Sequence, residues 1–330
     1  MSDMDRREFF RAAFPLAAAL ACVKGSGLAT AQTPARTIRI IYPFAAGGSG
    51  DGLARLVADR ISTGLGTTTI VENRTGAAGR IGVKAVTTAE PDGTMLLFAP
   101  MPVISIYPHS YARLDYDPFR DLEPVSLVAT FEVALTVGPQ MPVKSLAEFV
   151  AWVKANPLQA SYGSPGAGGL GHFFAVMFAT SAGIEPRHVS YRGSAAAMND
   201  LVAGQIPFVV APLSDSTELH RSGRVRVLAT SGSQRSPLLP EVPTFLEAGI
   251  PVQGLGWYAV YAPAKTPSSL VASLNKLINE ALSAPEFKQR VLSLSLVPKG
   301  STPSELAAIQ KADAERWAHA VKASGFTPQQ

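Results

Sequence analysis

Two short stretches of small residues carry the candidate chemistry of this chain. Residues 43–52 read Pro-Phe-Ala-Ala-Gly-Gly-Ser-Gly-Asp-Gly, and residues 163–171 read Gly-Ser-Pro-Gly-Ala-Gly-Gly-Leu-Gly. Each follows an apolar run with strand character and precedes a run with helical spacing. Glycine removes the side chains that would keep a ligand from the backbone. The first N–H groups of a helix, which have no partner inside it, then face outward with the positive end of the helix dipole. Ligands of open α/β sheets sit beyond the carboxyl ends of the strands, which is where both loops fall. Two such ends facing across a cleft would grip an anion. The plainer alternative is that the glycines only make tight turns.

Other chemistries have weaker signatures. Gly166-Ala167-Gly168-Gly169-Leu170-Gly171 spells the GxGxxG dinucleotide fingerprint after a strand and before a helix. The next strand, however, ends at Tyr191-Arg192 with no acidic residue to hold a ribose, and Pro165 sits inside the turn. Arg192 is the residue that would meet the 2′-phosphate of NADP. No GxSxG, HExxH, GxxxxGK[ST] or CxxC occurs. The five histidines, His109, His172, His188, His220 and His319, lack metal-ligand spacing. His172 follows the second loop and reads either as an anion donor or as a helix-cap or core histidine. Asp51 reads either as a ligand acceptor or as a cap for its own helix. Trp152, Trp257 and Trp317 read as core or interface aromatics.

The elements that must hold these loops follow from periodicity and punctuation. A strand at 37–42, the first loop, a helix carrying Leu53, Leu56, Val57 and Ile61, a strand at 68–71, the glycine-rich turn 73–79, another helix and a strand at 95–99 make a βαβαβ pattern. That pattern predicts a parallel, helix-covered sheet. A second unit opens at the capping box Ser145-Leu146-Ala147-Glu148. It continues through strands at 159–162, 188–191, 208–211 and 225–229, with helices at 172–182 and 195–202. The first of these helices is apolar nearly all round and is expected to be buried. Segments 131–138 and 255–262 read as strands crossing between the two units. Helices starting near Pro267 and at the capping box Thr302-Pro303-Ser304-Glu305 return to the first. The fold class expected is α/β with two lobes, each a mainly parallel helix-covered sheet: 32–137 and 257–330 in lobe one, 138–256 in lobe two.

Composition agrees with a folded, export-directed chain of 330 residues, 47% hydrophobic, with net charge +4 and one cysteine. It is neither disordered nor disulfide-stapled, and it lacks the basic clusters that nucleic acid requires. Arg6-Arg7-Glu8-Phe9-Phe10-Arg11, the apolar stretch 12–23 and Ala29-Thr30-Ala31 read as an export signal over residues 1–31, of the twin-arginine type, with an ordinary Sec signal as the alternative. The apolar stretch is too short for a membrane span, which needs about 20 residues. Removing the signal would leave no cysteine and put the mature protein in the periplasm.

The run Tyr42-Pro43-Phe44-Ala45-Ala46-Gly47-Gly48-Ser49-Gly50-Asp51 opens a series of motifs. It is followed by Val71-Glu72-Asn73-Arg74, Pro91-Asp92-Gly93, Tyr162-Gly163-Ser164-Pro165-Gly166, Tyr191-Arg192-Gly193-Ser194-Ala195 and Leu239-Pro240-Glu241-Val242-Pro243-Thr244. Together, and in this order over the whole mature chain, they resemble the Bug receptors, the extracytoplasmic solute-binding proteins of tripartite tricarboxylate transporters. The resemblance implies a two-lobed periplasmic binding-protein (Venus-flytrap) fold that closes on a small carboxylate, without catalysis or cofactor. It also implies a monomer that serves integral membrane subunits of such a transporter. Carried over position by position, it implies ligand contacts from Phe44, Ala46, Ser49, Gly50 and Asp51 of lobe one. From lobe two it implies Ser164, Gly166, Ala167, Arg192, Gly193, Ser194 and Ala195. Ala46, Thr75 and Pro207 depart from the family pattern, the last at a place expected to form the second lobe's pocket floor. The rival from another class is a twin-arginine-exported NADP oxidoreductase.

Overall fold

The computed structural model describes residues 37–323, 326 and 327, so the expected export segment 1–31 lies outside the described residues. From the amino end the elements are β1 (Ile38–Tyr42), α1 (Ser49–Leu65), β2 (Thr69–Asn73), α2 (Arg80–Thr87), β3 (Met95–Pro100), α3 (Tyr107–Ser110) and β4 (Leu122–Val137). Then come α4 (Leu146–Ala155), β5 (Ser161–Ser164), α5 (Leu170–Ala182), β6 (Arg187–Ser190), α6 (Ser194–Val202), β7 (Phe208–Pro212), α7 (Thr217–Arg221) and β8 (Arg226–Thr230). The chain closes with β9 (Leu255–Pro263), α8 (Ser268–Ser283), α9 (Pro285–Ser293), β10 (Val297–Pro298) and α10 (Pro303–Ala323).

The strands join in the order β2-β1-β3-β9-β4-β7-β5-β6, with β8 and β10 also pairing with β4. β1 runs parallel to β2 and β3, and β5 runs parallel to β6 and β7, as βαβ connections require. Where the halves meet, pairing is antiparallel. β9 lies between β3 and β4, and β4 pairs with both β9 and β7. Residues of β4 from Leu122 to Glu132 pair with β9, and those from Val133 to Val137 pair with β7. One strand therefore threads both halves of the two-lobed fold. Its sequence is rich in β-branched and aromatic residues, which suits a strand buried for most of its length. Only its last seven residues, from Phe131, were expected to be strand. Glu123 and Pro124 disguise its start, and the structure accommodates the proline at a register shift between Pro124 and Ser126.

Burial follows the two parallel halves. Ile40, Ile41, Leu96, Leu97 and Phe98 fill the first beneath Leu53, Val57 and Ile61 of α1. In the second, Phe149, Phe178 and Phe208 pack ring against ring, with centroids 4.7 to 6.1 Å apart. α5 is buried over most of its surface, as its all-round apolar composition requires. Its Gly171 lies so close to β7 that an added Cβ would collide with the carbonyl oxygen of Val210. Since the obstacle is backbone, α5 would have to move away from the sheet. Gly171→Ala is expected to lower stability by about 1–3 kcal/mol, the usual cost of overpacking, measured as a lower urea midpoint with an unchanged slope.

Candidate functional site

The loops that leave the carboxyl ends of β1, β5, β6 and β7 converge on one cavity of about 70 Å³. A water needs roughly 10–15 Å³ on this measure, so the space suits a molecule of a few heavy atoms. Three helices start at its wall. α1 contributes Gly48, Ser49 and Gly50, α5 contributes Gly169, Leu170 and Gly171, and α6 contributes Gly193, Ser194 and Ala195. Their N-cap residues are Gly48, Gly169 and Gly193, and none of the three has a side-chain capping hydrogen bond. Two helices elsewhere carry such a cap: the Ser145 hydroxyl accepts from the Glu148 N–H, and the Thr302 hydroxyl accepts from the Glu305 N–H. Glycine at the caps of α5 and α6 leaves their first backbone donors without a side-chain partner on one side of one space, while the Ser49 N–H at the start of α1 is taken by a carboxylate from across the cavity. Gly193 is further required by its φ of 121°, which side-chain-bearing residues avoid.

The floor is aromatic. The rings of Phe98 and Tyr258 stack at 5.6 Å, Phe131 meets Tyr258 at 4.8 Å, and Tyr42 lies against both Phe44 and Phe98. A Cβ on Gly50 would collide with the Tyr42 hydroxyl and the Tyr258 ring, so glycine here lets the helix start sit directly on the two tyrosines. Burial holds both phenols well above their ordinary pKa. They are neutral hydroxyls, hydrogen-bonded to one another.

Sequence reading did not single out Asp215, which lines the cavity just beyond β7. Its Oδ1 accepts from the Ser49 N–H at 3.2 Å and from the Ser49 hydroxyl at 3.0 Å. The Ser214 and Ser49 hydroxyls lie 2.8 Å apart. Burial raises the pKa of Asp215, opposed by hydrogen bonds from Ser194 and Ser49. The rule that applied to the two glycine loops applied here as well, since Asp215 follows a strand's carboxyl end. What hid it was an apolar and serine-rich setting without the glycines that mark the other loops.

Of the twelve residues expected to contact a ligand, Phe44, Ser49, Gly50, Gly166, Gly193, Ser194 and Ala195 line the cavity, and five do not. Ala46 is exposed on the outer side of the first loop. Asp51 is buried, and its carboxylate ties that loop together, accepting from the Gly47 N–H, from Arg55 and from the Asn73 side chain. These bonds hold its pKa low against the cost of burial. Ala167 donates its N–H to the Ser190 hydroxyl, and Arg192 is exposed on a neighbouring groove. Pro207 accepts the Gly138 N–H at the opposite end of β7, so it does not form the cavity floor.

Ser164 is fully buried behind the second loop. Its hydroxyl lies 2.7 Å from His188 Nε2 and 3.1 Å from the Gly166 carbonyl. His188 stacks on His172 with ring centroids 3.9 Å apart. The Gly168 N–H donates to His172 Nδ1 at 3.0 Å, so that nitrogen must carry a lone pair and the neutral ring carries its proton on Nε2. His172 is therefore a support for the bend of the loop, the cap or core role among the two readings open to it. Burial lowers its pKa to about 4. Burial and the neighbouring ring lower that of His188 to about 3.

A family model described as tripartite tricarboxylate transporter family receptor matches residues 53–326. The chain belongs to this receptor family. Solved structures agree with that membership. The structure of the periplasmic binding protein BugD is 31% identical, with a TM-score of 0.85 over 90% of this chain and 100% of BugD. Rpa4515 of R. palustris with adipate is 31% identical, with a TM-score of 0.86 over 89% of this chain and 98% of that one. MatC of Rhodopseudomonas palustris with bound malate is 29% identical, with a TM-score of 0.83 over 87% and 99%.

For this family member the histidine pair sets an acid limit. Both rings are neutral in the fold, while an unfolded histidine titrates near 6.5. As pH falls below that value the unfolded chain takes up more protons, and stability declines. The contribution of His172 is fully present above about pH 6.5 and is lost as pH falls toward 4, with a size on the order of 3 kcal/mol. Urea midpoints measured from pH 7 to 4 are expected to fall for wild type. The slope should flatten in His172→Gln, whose amide oxygen can still accept from Gly168.

Proposed function

We propose that the protein is an extracytoplasmic receptor that captures a small carboxylate in this cavity and delivers it to the integral membrane subunits of a tripartite tricarboxylate transporter. The observation that carries this reading is the convergence of three glycine-capped helix starts on one cavity. An anion there gains charge-assisted hydrogen bonds from donors already fixed by the helices. Adipate in Rpa4515 and malate in MatC support a carboxylate as the ligand class. Ser49, Gly50, Gly166, Gly193, Ser194 and Ala195 would surround it, with Phe44 as a wall. Ala46, Asp51, Ser164, Ala167 and Arg192 would shape the loops from behind. The protein works as a monomeric binder and not as an enzyme, with neither cofactor nor nucleic acid among its partners. Segments 32–137 and 257–330 form lobe one, 138–256 forms lobe two, and opening between them admits the ligand.

The NADP oxidoreductase reading gains nothing from these relatives. In its favour stands only the GxGxxG loop, whose glycines here open the start of α5 onto the cavity and the Gly168 N–H onto His172. Thermal unfolding with a panel of mono-, di- and tricarboxylates distinguishes the two. A ligand at 100 times its dissociation constant adds about 2.7 kcal/mol, which raises the melting temperature of a chain this size by about 4 °C. NADP should leave it unchanged. A shift with NADP and none with any carboxylate would reverse the assignment.

Export through the twin-arginine route is the companion proposal, and Arg6-Arg7 is its basis. Replacing both arginines by lysine should leave precursor in the cytoplasm, because that pathway reads the guanidinium pair and not charge alone. Undiminished periplasmic yield would assign the leader to the Sec route.

A further inference from the structure

The electrostatics of the cavity narrow the ligand further. Among the residues that line it, the only charged side chain is Asp215, and no lysine, arginine or histidine is present. That carboxylate is fixed in place. The backbone N–H and the hydroxyl of Ser49 both donate to its Oδ1, and the Ser194 hydroxyl donates to the same group. The start of α1 is thus already supplied with an anion from the chain itself. The Ser49 N–H, the donor that would otherwise meet a ligand carboxylate, is occupied.

From this arrangement we infer that Asp215 selects a ligand carrying an ammonium group beside its carboxylate, so that the site takes aminocarboxylates in preference to plain acids of the same skeleton. The inference rests on the carboxylate-receptor reading above and assigns each end of the ligand. The ligand carboxylate faces the open N–H groups at the starts of α5 and α6, and its ammonium faces Asp215. A second unpaired carboxylate would add negative charge beside Asp215 with no cation to offset it. An ammonium instead relieves the cost of keeping a carboxylate in a space walled by Tyr42, Phe131 and Tyr258. The raised pKa of Asp215 without such a partner is consistent with a charge that lacks its counterpart.

Calorimetric titration of three matched sets tests this, with members that differ only at the second carbon: alanine, lactate and propionate; aspartate, malate and succinate; glutamate, 2-hydroxyglutarate and glutarate. In wild type, within any set that binds, the amino acid should bind at least tenfold more tightly than the plain acid. Asp215→Asn, which keeps the shape and removes the charge, should abolish that advantage. Asp215→Ser, which frees the Ser49 N–H, should improve binding of the plain dicarboxylate. Urea midpoints near the wild-type value establish that both variants are folded. If the plain acid equals or exceeds the amino acid in wild type, or if the amino advantage survives in both variants, Asp215 does not select the ligand and the receptor reading stands. If no carboxylate of any set binds wild type or either variant, the receptor reading fails and the role of Asp215 fails with it.

Discussion

Three helices that begin at glycine around one cavity are the constraint on which the site depends. A helix start ordinarily satisfies its first N–H groups with a serine, threonine or aspartate, as α4 and α10 do through Ser145 and Thr302. At α1, α5 and α6 the cap is glycine, and the first residues of all three helices line a shared cavity, with the Ser49 N–H of α1 already given to Asp215. Holding three such starts within reach of one small molecule requires both parallel half-sheets, since α1 follows β1 in one half while α5 and α6 follow β5 and β6 in the other. The long strand β4 makes this possible by belonging to both.

The neutral interior of the site is a second consequence. Tyr42 and Tyr258 are held as uncharged phenols, and the histidines behind the second loop are held as uncharged imidazoles. Net charge at the cavity therefore comes from Asp215 and from the helix ends. Backbone dipoles bind an anion without a cationic side chain and without the desolvation cost that a buried arginine or lysine would bring. The glycine at position 50 serves the same end by letting the helix start rest on the Tyr42 hydroxyl and the Tyr258 ring.

Much of this was legible in the sequence because the informative signals were local. Helical spacing after residues 163–171 gave α5 within two residues, that after 43–52 gave α1 but missed its first turn, since Ser49 to Gly52 already belong to the helix, and the capping boxes at Ser145 and Thr302 marked α4 and α10. The family resemblance rested on the same loops, and membership followed from the family match. Signals of longer range were not legible. The register of β4 against β9 depends on a bulge that absorbs Pro124, and no local pattern announces it. The orientation of Ser164 away from the cavity depends on His188, which is twenty-four residues away in sequence. Asp215 meets Ser49 across a separation of 166 residues, so only the folded chain brings the carboxylate to the helix start.

The central claim, that a carboxylate is held by open backbone donors at the helix starts, is tested most directly by amide resonances. Protein labelled with nitrogen-15 would be titrated with a carboxylate that raises its melting temperature. The result expected is that the largest shifts fall on the amides of Gly169, Leu170, Gly171, Gly193, Ser194 and Ala195, with smaller changes at Gly48 and Gly50. Shifts confined to the exposed groove beside Arg192 and Tyr111, with those amides unmoved, would contradict it.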